Sequence, residues 1–231
     1  MSRRWREWWS SDPERRFVDR AAAGRALGDL LAAADPPFDR TTTTVLGLPR
    51  GGVPVAAAVA ERLGAPLDIL VAHKVGAPGN PELAIGAVAT DGTTLAEPWA
   101  DEVGLTGEGA FAVAAAAELE RAREREERLR AGRPALSLAG RTVILVDDGI
   151  ATGATMHVAV LAARAQGAAR VVVAVPVAAA ESAAAMRRIA DSVVAVLEPA
   201  DFRAVGEWYE RFDQVDDTEV AATLAGAAGE P

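Results

Sequence analysis

Along the chain, continuous runs of apolar residues alternate with segments in which apolar or small residues recur every three or four positions. The continuous runs are rich in Val, Ile and Leu and predict strands that are buried on both faces, whereas the wider spacing predicts helices. In the second half this alternation is regular, with strands predicted over Thr142–Val146, Val171–Val177 and Val193–Leu197 and helices over Gly153–Gln166 and Glu181–Ile189. Strands that alternate with helices in this way indicate a parallel sheet.

The first half of the chain adds an antiparallel hairpin to the same pattern. Asp91-Gly92 lies between two apolar runs, and this dipeptide is a strong turn signal. The elements predicted here are helices over Phe17–Ala34, Val53–Leu63 and Glu108–Arg130, strands over Val45–Leu48 and Leu67–Ala72, and a hairpin of Leu83–Thr90 with Thr93–Ala96. The fold class predicted is α/β, a doubly wound and mainly parallel sheet with helices on both faces and a small hood or appendage.

The length of 231 residues suits one domain with appendages. We expect an N-terminal extension over residues 1–16, a single domain over residues 17–220 and a flexible tail over residues 221–231. Three tryptophans of the extension, Trp5, Trp8 and Trp9, are expected to pack on the domain or on a neighbouring subunit.

Composition excludes several classes of function. The chain has no cysteine, which rules out disulfides, thiolate zinc sites and a cysteine nucleophile. Its net charge of −9 argues against a broad nucleic-acid footprint. The longest apolar stretch, Val171–Ala180, is far shorter than the roughly 20 residues that span a bilayer, and the N-terminus lacks the apolar core of a signal peptide. We therefore expect a cytoplasmic protein that binds small molecules and neither nucleic acid nor membrane.

The loop after the strand Thr142–Val146 has the composition of an anion-binding site. In open parallel sheets, ligands bind beyond the carboxyl ends of the strands. Glycines and small side chains here let backbone N–H groups approach an anion, the next helix offers its N-terminus to a phosphate, and threonine hydroxyls add donors. The residues of this cradle are Gly149, Ile150, Ala151, Thr152, Gly153, Ala154 and Thr155.

Two adjacent acids, Asp147 and Asp148, precede this cradle. They would repel a phosphate placed directly on them, but they suit a neutral polyol whose vicinal hydroxyls donate hydrogen bonds, with Mg²⁺ nearby as an option. A site with a phosphate at one end and a diol at the other matches ribose 5-phosphate. The alternative is an ordinary turn in which the acids cap the helix. No P-loop motif and no G-x-G-x-x-G after the first strand is present.

The segment Val143–Thr155 closely resembles the motif by which type I phosphoribosyltransferases bind 5-phosphoribosyl-1-pyrophosphate (PRPP). The resemblance extends roughly from Phe17 to Val220 and is closest to a bacterial branch of the family with GLPRGGVPVA, KxGAPGNPELAIGA and VxxWYExF-like segments. It implies that Asp147 and Asp148 hold the ribose 2- and 3-hydroxyls and that Gly149–Thr155 hold the 5-phosphate.

The resemblance also assigns a pyrophosphate site. Arg50, Gly51 and Gly52 follow a predicted strand and open a helix, so they combine a guanidinium with glycine N–H groups, and the family's pyrophosphate loop occupies this place. The alternative is a tight turn with a surface arginine. Lys74 is predicted at another strand end, where related enzymes often carry Arg-Lys. His73 replaces that arginine, and either a direct role or simple packing fits it.

Several features keep two interpretations at this stage. The acceptor side falls by resemblance on Trp208 and Tyr209, which could instead pin the C-terminal segment to the domain. The Gly/Pro-rich loop Gly76–Pro81 is either a closing lid or a static connector, and Glu82 either faces the site or ends that loop. His157, within a predicted helix, is expected to be structural.

The function implied is transfer of the 5-phosphoribosyl group from PRPP to a nitrogen of a base-like acceptor, with Mg²⁺ as cofactor and with Arg50, Lys74, Asp147 and Asp148 as the catalytic residues. The family also implies a homodimer. A PRPP sensor without turnover, and a phosphorylase or hydrolase of ribose phosphates, are the alternatives. The sequence does not identify the acceptor, because fold alone does not fix function.

Overall fold

A computed structural model describes residues 16–105 and 109–227, except for the side chains of residues 81 and 82. The expectations for Trp5, Trp8, Trp9 and the Glu82 side chain therefore lie outside the described residues. The strands are β1 (Thr43–Gly47), β2 (Leu67–Ile69), β3 (Ala72–Ala77), β4 (Asn80–Ala89), β5 (Thr94–Ala96), β6 (Thr142–Val146), β7 (Arg170–Val177) and β8 (Ser192–Leu197). The helices are α1 (Arg20–Ala32), α2 (Gly52–Leu63), α3 (Pro98–Glu102), α4 (Ala110–Arg130), α5 (Ala154–Ala165), α6 (Ala180–Met186) and α7 (Asp217–Ala227), with a 3₁₀ turn at Val205–Trp208.

Five strands form a parallel central sheet in the order β2-β1-β6-β7-β8, which confirms the predicted fold class. The central strand β6 is almost wholly buried, as expected for a Val/Ile/Leu run between two neighbours. Its side chains alternate between the two faces of the sheet. Ile144 and Val146 join a core formed with α1, α2, α4 and α7, whereas Val143 and Leu145 join a core formed with α5 and β4. Helices therefore cover both faces.

The other three strands form an antiparallel sheet, the hood, in the order β3-β4-β5. Here the prediction was wrong in two places. The predicted strand Leu67–Ala72 is divided, because β2 ends at Ile69 and a new strand begins at Ala72. The predicted loop Gly76–Pro81 is mostly strand: β3 and β4 pair with a register shift beside Gly76, and they turn at Pro78-Gly79, where Gly79 has φ +77°. Glycine and proline suggested a loop, but here they serve an irregular hairpin.

Helix α7 carries the packed structure past residue 220, where the sequence suggested that a flexible tail begins. Val220 and Leu224 are 0% and 1% exposed and belong to the core beneath α2 and α4. Among the residues that the structure describes, no helix has both the length and the apolar character required to cross a membrane.

Truncation of Leu224 tests whether α7 is part of the cooperative fold. Leu224→Ala is expected to lower the free energy of unfolding by about 2–5 kcal/mol, because it leaves a cavity in the core. The matched control is Leu83→Ala, since Leu83 is 39% exposed and its truncation is expected to have a much smaller effect. Denaturant melts of both variants measure this difference, and equal losses would contradict the packing of α7.

Candidate functional site

Two loops meet at the carboxyl edge of the central sheet because their strands are neighbours. Strands β1 and β6 pair in parallel with Gly47 opposite Val146, so both end at the same height. The N–H of Leu48 donates to the carbonyl oxygen of Val146 at 2.9 Å and continues the ladder beyond the strand ends. The Arg50-Gly51-Gly52 turn and the Asp147-Asp148 pair therefore leave the sheet side by side.

Each glycine of this turn packs directly on one aspartate. A Cβ atom on Gly51 would lie 1.9 Å from Oδ2 of Asp148, and one on Gly52 would lie 2.8 Å from Cα of Asp147 and 2.7 Å from the carbonyl oxygen of Val146. These spaces are too short for any side chain. The two glycines are therefore required by the acids beneath them, apart from any contact with a ligand.

Arg20, at the start of α1, holds the carboxylate of Asp148. Its Nε donates to Oδ2 of Asp148 at 2.9 Å, and the two side chains are only 12% and 14% exposed. The same guanidinium donates to the carbonyl oxygen of Asp213 at 2.6 Å and stacks 3.9 Å above the ring of Phe212. Three partners thus fix the orientation of this cation.

Tyr209 also contacts Asp148, through its hydroxyl group. It is 3% exposed, and its hydroxyl donates to the carbonyl oxygen of Asp148 at 2.6 Å. Its ring lies between those of Phe17 and Phe212, at centroid distances of 5.6 and 5.0 Å. Burial raises the pKa of the Tyr209 phenol, so it remains a donor. The ring and hydroxyl are both occupied, which does not suit the acceptor-side role suggested by the sequence.

The acid pair lies in an environment that disfavours two negative charges. Burial raises the pKa of Asp147 well above its usual range, and the charge of Asp148 adds to this rise. Burial also raises the pKa of Asp148, although Arg20 opposes the rise. The N–H of Asp148 donates to Oδ1 of Asp147 at 2.8 Å. Hydroxyl donors or a cation placed at these oxygens would relieve the unfavourable charge.

The loop after the acids leaves a helix N-terminus open. Gly153 adopts φ +83°, a region that favours glycine, and provides no side-chain cap for α5. The first N–H groups of α5 therefore lack both an intrahelical and a side-chain partner, which makes this end suitable for an anion. Ala151 and Thr152 are exposed beside it, and the loop is held from behind by the Ser182 hydroxyl, which donates to the carbonyl oxygen of Ala151.

Ile150 and Gly149 anchor this loop to its surroundings. Ile150 is 2% exposed, its N–H donates to the carbonyl oxygen of Val177 at 2.9 Å, and its own carbonyl oxygen accepts from the N–H of Ala179 at 2.9 Å. Its side chain therefore faces the core and not a ligand. A Cβ on Gly149 would lie 2.6 Å from Val205, so the 3₁₀ turn Val205–Trp208 lies against the loop.

Arg50 and Lys74 are two cations that have no ion-pair partner in the part of the chain that the structure describes. Arg50 is half-buried at the start of α2, next to the cis peptide bond Pro49-Arg50, and Lys74 is exposed on β3. Neither forms an ion pair with any described side chain, whereas Arg20 does. Cations of this kind are available to an anionic ligand.

His73 and Lys74 lie within β3 and point to opposite faces of it, so the prediction that Lys74 lies at a strand end was wrong. Lys74 is paired with Ala87, which packs in the core shared with α5, and therefore lies on the face towards α5. His73 faces α4, where its Nδ1 lies 3.3 Å from Oε2 of Glu118. Its Nε2 is buried without a hydrogen-bond partner among the described residues. His73 is thus packed away from the two loops.

The structure also places Trp208 and His157, which the sequence had singled out. Trp208 is half-buried in the 3₁₀ turn, and its indole N–H is buried with no acceptor in the described part of the chain. His157 lies half-buried in α5, where burial lowers its pKa and keeps the ring neutral at pH 7. Sequence reasoning did not find Arg20, which is 128 positions from Asp148, and no local motif marks it.

The comparisons with known proteins show the family to which the chain belongs. Residues 17–210 match the family model of the phosphoribosyl transferase domain, and the chain therefore belongs to that family. It is 46% identical over 210 residues to "Putative phosphoribosyl transferase Rv0571c" and to its counterpart MT0597, both from Mycobacterium tuberculosis, covering 90% of this chain and 46% of each relative. The chain thus spans about half the length of these curated relatives.

A solved structure shows the same architecture. The protein TT1426 from Thermus thermophilus is 45% identical, with a TM-score of 0.79 over 93% of this chain and 100% of that chain. The resemblance found in the sequence is therefore confirmed at the level of the family and the fold.

Because Gly52 packs on the acid loop, its replacement by alanine is expected to destabilise the protein, although such a replacement in a helix usually stabilises it. Gly52 and Gly226 both lie in helices, where alanine is normally favoured over glycine by up to about 1 kcal/mol. Gly226→Ala meets nothing within 4 Å and is expected to be neutral or stabilising. Gly52→Ala would collide with backbone of the acid loop, so it is expected to lower the free energy of unfolding by about 1–3 kcal/mol. Equal stability of the two variants in denaturant melts would contradict the close contact.

Proposed function

We propose that this protein transfers the 5-phosphoribosyl group of PRPP to a nitrogen of a base-like acceptor and releases pyrophosphate. One observation carries the proposal: an acid pair, an open helix N-terminus and a glycine turn with an available arginine meet at one sheet edge. These three parts correspond in order to the ribose, the 5-phosphate and the pyrophosphate of PRPP. Membership of the phosphoribosyl transferase domain family supports the same ligand.

The ribose and the 5-phosphate are assigned to the loop after β6. Carboxylate oxygens of Asp147 and Asp148 would accept hydrogen bonds from the 2- and 3-hydroxyls. The 5-phosphate would lie against the first N–H groups of α5, with Thr152 and Thr155 as additional donors. Binding two ends of one sugar phosphate orients C1 for the reaction, which is a recognised source of rate acceleration.

The pyrophosphate is assigned to Arg50, Gly51 and Gly52 at the start of α2, with Lys74 of hood strand β3 as a second cation. In the step itself the C1–O bond breaks and its electron pair leaves with the pyrophosphate, while a lone pair of the acceptor nitrogen forms the new bond to C1. The nitrogen then loses its proton. Arg50 and Lys74 would stabilise the negative charge that develops on the leaving group. No nucleophile of the protein is required.

Magnesium fits the donors at this site. Two adjacent carboxylates are the hard oxygen ligands that Mg²⁺ prefers. Among the described residues, no group of three or more His, Cys, Asp or Glu side chains is arranged to hold a metal ion. Asp147 and Asp148 would therefore share the ion with the pyrophosphate of the substrate and with water. When bound, Mg²⁺ neutralises charge on the leaving pyrophosphate.

The acceptor side is proposed for Trp208 but not for Tyr209. Trp208 lies in the turn whose Val205 contacts Gly149 of the ribose loop. An aromatic side chain near C1 could stack on a base. Tyr209 instead positions Asp148, since its hydroxyl bonds the backbone of that residue. The homodimer and the cytoplasmic location also remain predictions.

Removal of the acid pair should abolish PRPP binding. Calorimetric titration of PRPP with Mg²⁺ is expected to show binding to the wild type and none to Asp147→Asn/Asp148→Asn at the same concentrations, because neutral amides replace the carboxylates that accept from the ribose hydroxyls. The control Glu124→Gln/Glu127→Gln removes the same two negative charges from the exposed surface of α4 and should bind as the wild type does. A folded wild type that does not bind PRPP would refute the assignment.

Lys74→Met tests the pyrophosphate end separately. Loss of a charge-assisted hydrogen bond is expected to weaken PRPP binding by about 10- to 100-fold. The affinity for ribose 5-phosphate should stay unchanged, because that ligand carries no pyrophosphate. Arg128→Met, at an exposed position on α4, is the control. Equal weakening of both ligands would place Lys74 elsewhere in the site.

Turnover separates the transferase from the alternatives. Release of pyrophosphate from PRPP in the presence of a purine or pyrimidine base supports the transferase, and release with phosphate or water alone supports a phosphorylase or hydrolase. Binding of PRPP without release under any of these conditions would support a sensor. Arg50 and Lys74 favour turnover, since no described side chain pairs with either cation and both are assigned here to the leaving group.

A further inference from the structure

We infer that Arg20 is a positioning residue for PRPP binding, which fixes the carboxylate of Asp148 in the orientation that accepts a ribose hydroxyl. This inference rests on the proposed function and goes beyond it, because Arg20 lies outside the motifs that mark the site. It acts through its partner Asp148, to which its Nε donates at 2.9 Å.

The ion pair between Arg20 and Asp148 is held rigidly. Arg20 and Asp148 are joined at 2.9 Å, and both side chains are nearly enclosed. The guanidinium is also bound to the carbonyl oxygen of Asp213 and stacked on Phe212. Since a planar guanidinium held by three partners cannot turn, Oδ2 of Asp148 is fixed with it. Oδ1 is then the oxygen left for a ligand.

The ion pair between Arg20 and Asp148 lies against the glycine turn. The position of a Cβ on Gly51 lies 1.9 Å from Oδ2 of Asp148 and 3.2 Å from Nε of Arg20. The ion pair therefore lies directly beneath the glycine turn that is assigned to pyrophosphate. If Arg20 were absent, the carboxylate would lose its cation on that side and its fixed rotamer, and it would lie uncompensated beside Asp147.

A neighbouring ion pair, between Arg211 and Asp19, provides a comparison. Arg211 also joins the start of α1 to the C-terminal segment, through an ion pair with Asp19 at 2.6 Å. That pair is more exposed, at 63% and 33%, and involves neither Asp147 nor Asp148. Arg20 and Arg211 thus both link the start of α1 to the C-terminal segment, Arg20 through the carbonyl oxygen of Asp213 and Arg211 through Asp19, but Arg20 also pairs with Asp148. If linking the segments were the only role, loss of either arginine would have the same effect in binding assays.

The test compares Arg20→Gln with Arg211→Gln by calorimetric titration of PRPP with Mg²⁺ and of ribose 5-phosphate. Arg20→Gln is expected to weaken both ligands by a similar factor of about 10 to 100, since both carry the hydroxyls that Asp148 accepts. Arg211→Gln should bind both as the wild type does. Arg20→Lys, which keeps the charge without the planar fork, should lie between the wild type and Arg20→Gln.

A double-mutant cycle adds a readout that a purely structural role would not change. In an Asp148→Asn background, Arg20→Gln should weaken binding little further, because its partner is already altered. Wild-type affinity in folded Arg20→Gln and Arg20→Lys, or fully additive losses in the cycle, would overturn the inference and leave the proposed function standing. Failure of the wild type itself to bind PRPP and ribose 5-phosphate would overturn both.

Discussion

Two glycines rest on two aspartates at the edge of the central sheet, and the candidate site depends on this contact. Because β1 and β6 are neighbours that end at the same height, the loops that follow them must share one small space. The space is filled by Asp147 and Asp148, so Gly51 and Gly52 cannot carry side chains. Parallel pairing thus converts two separate sequence motifs into a single surface, with two carboxylates next to the N-terminus of α2.

Some charges at this surface are compensated within the protein, and others are available to a ligand. Two adjacent carboxylates in a partly buried position are unfavourable, and Arg20 compensates them from within the protein. Arg50 and Lys74 have no such partner among the described residues, which leaves their charge for an anion. A ligand that brings both hydroxyl donors and several phosphate charges satisfies the acids and these two cations together, which is the chemistry of PRPP.

Much of this arrangement could be predicted from the sequence, because the central strands are continuous apolar runs and the acid loop is a contiguous motif. Strand β6 and the cradle after it were located from such local signals. The hood was harder to predict: β3 contains glycine and alternates His73, Lys74 and Val75 between two packed faces, so its pattern resembles a loop. The ordering of the C-terminal helix also escaped prediction, since Leu224 gains its partners only through tertiary packing.

The support beneath the acids could not be predicted at all. Arg20 and Tyr209 reach Asp148 from the two ends of the domain, and Phe212 packs against both of them. Contacts across such separations leave no periodicity or spacing in the sequence. For the same reason, the sequence did not show that Tyr209 packs within the protein. Its place in a recognisable segment suggested contact with an acceptor. Its hydroxyl and ring are instead committed to the protein, which only the three-dimensional packing reveals.

The most direct test of the central claim is a crystal structure with PRPP and Mg²⁺ bound. We expect one PRPP molecule across the two loops, with its 5-phosphate at the start of α5, its ribose hydroxyls on Asp147 and Asp148, and its pyrophosphate beside Arg50 and Gly51. Density for PRPP at another surface, or in the reverse orientation across this edge, would contradict the account.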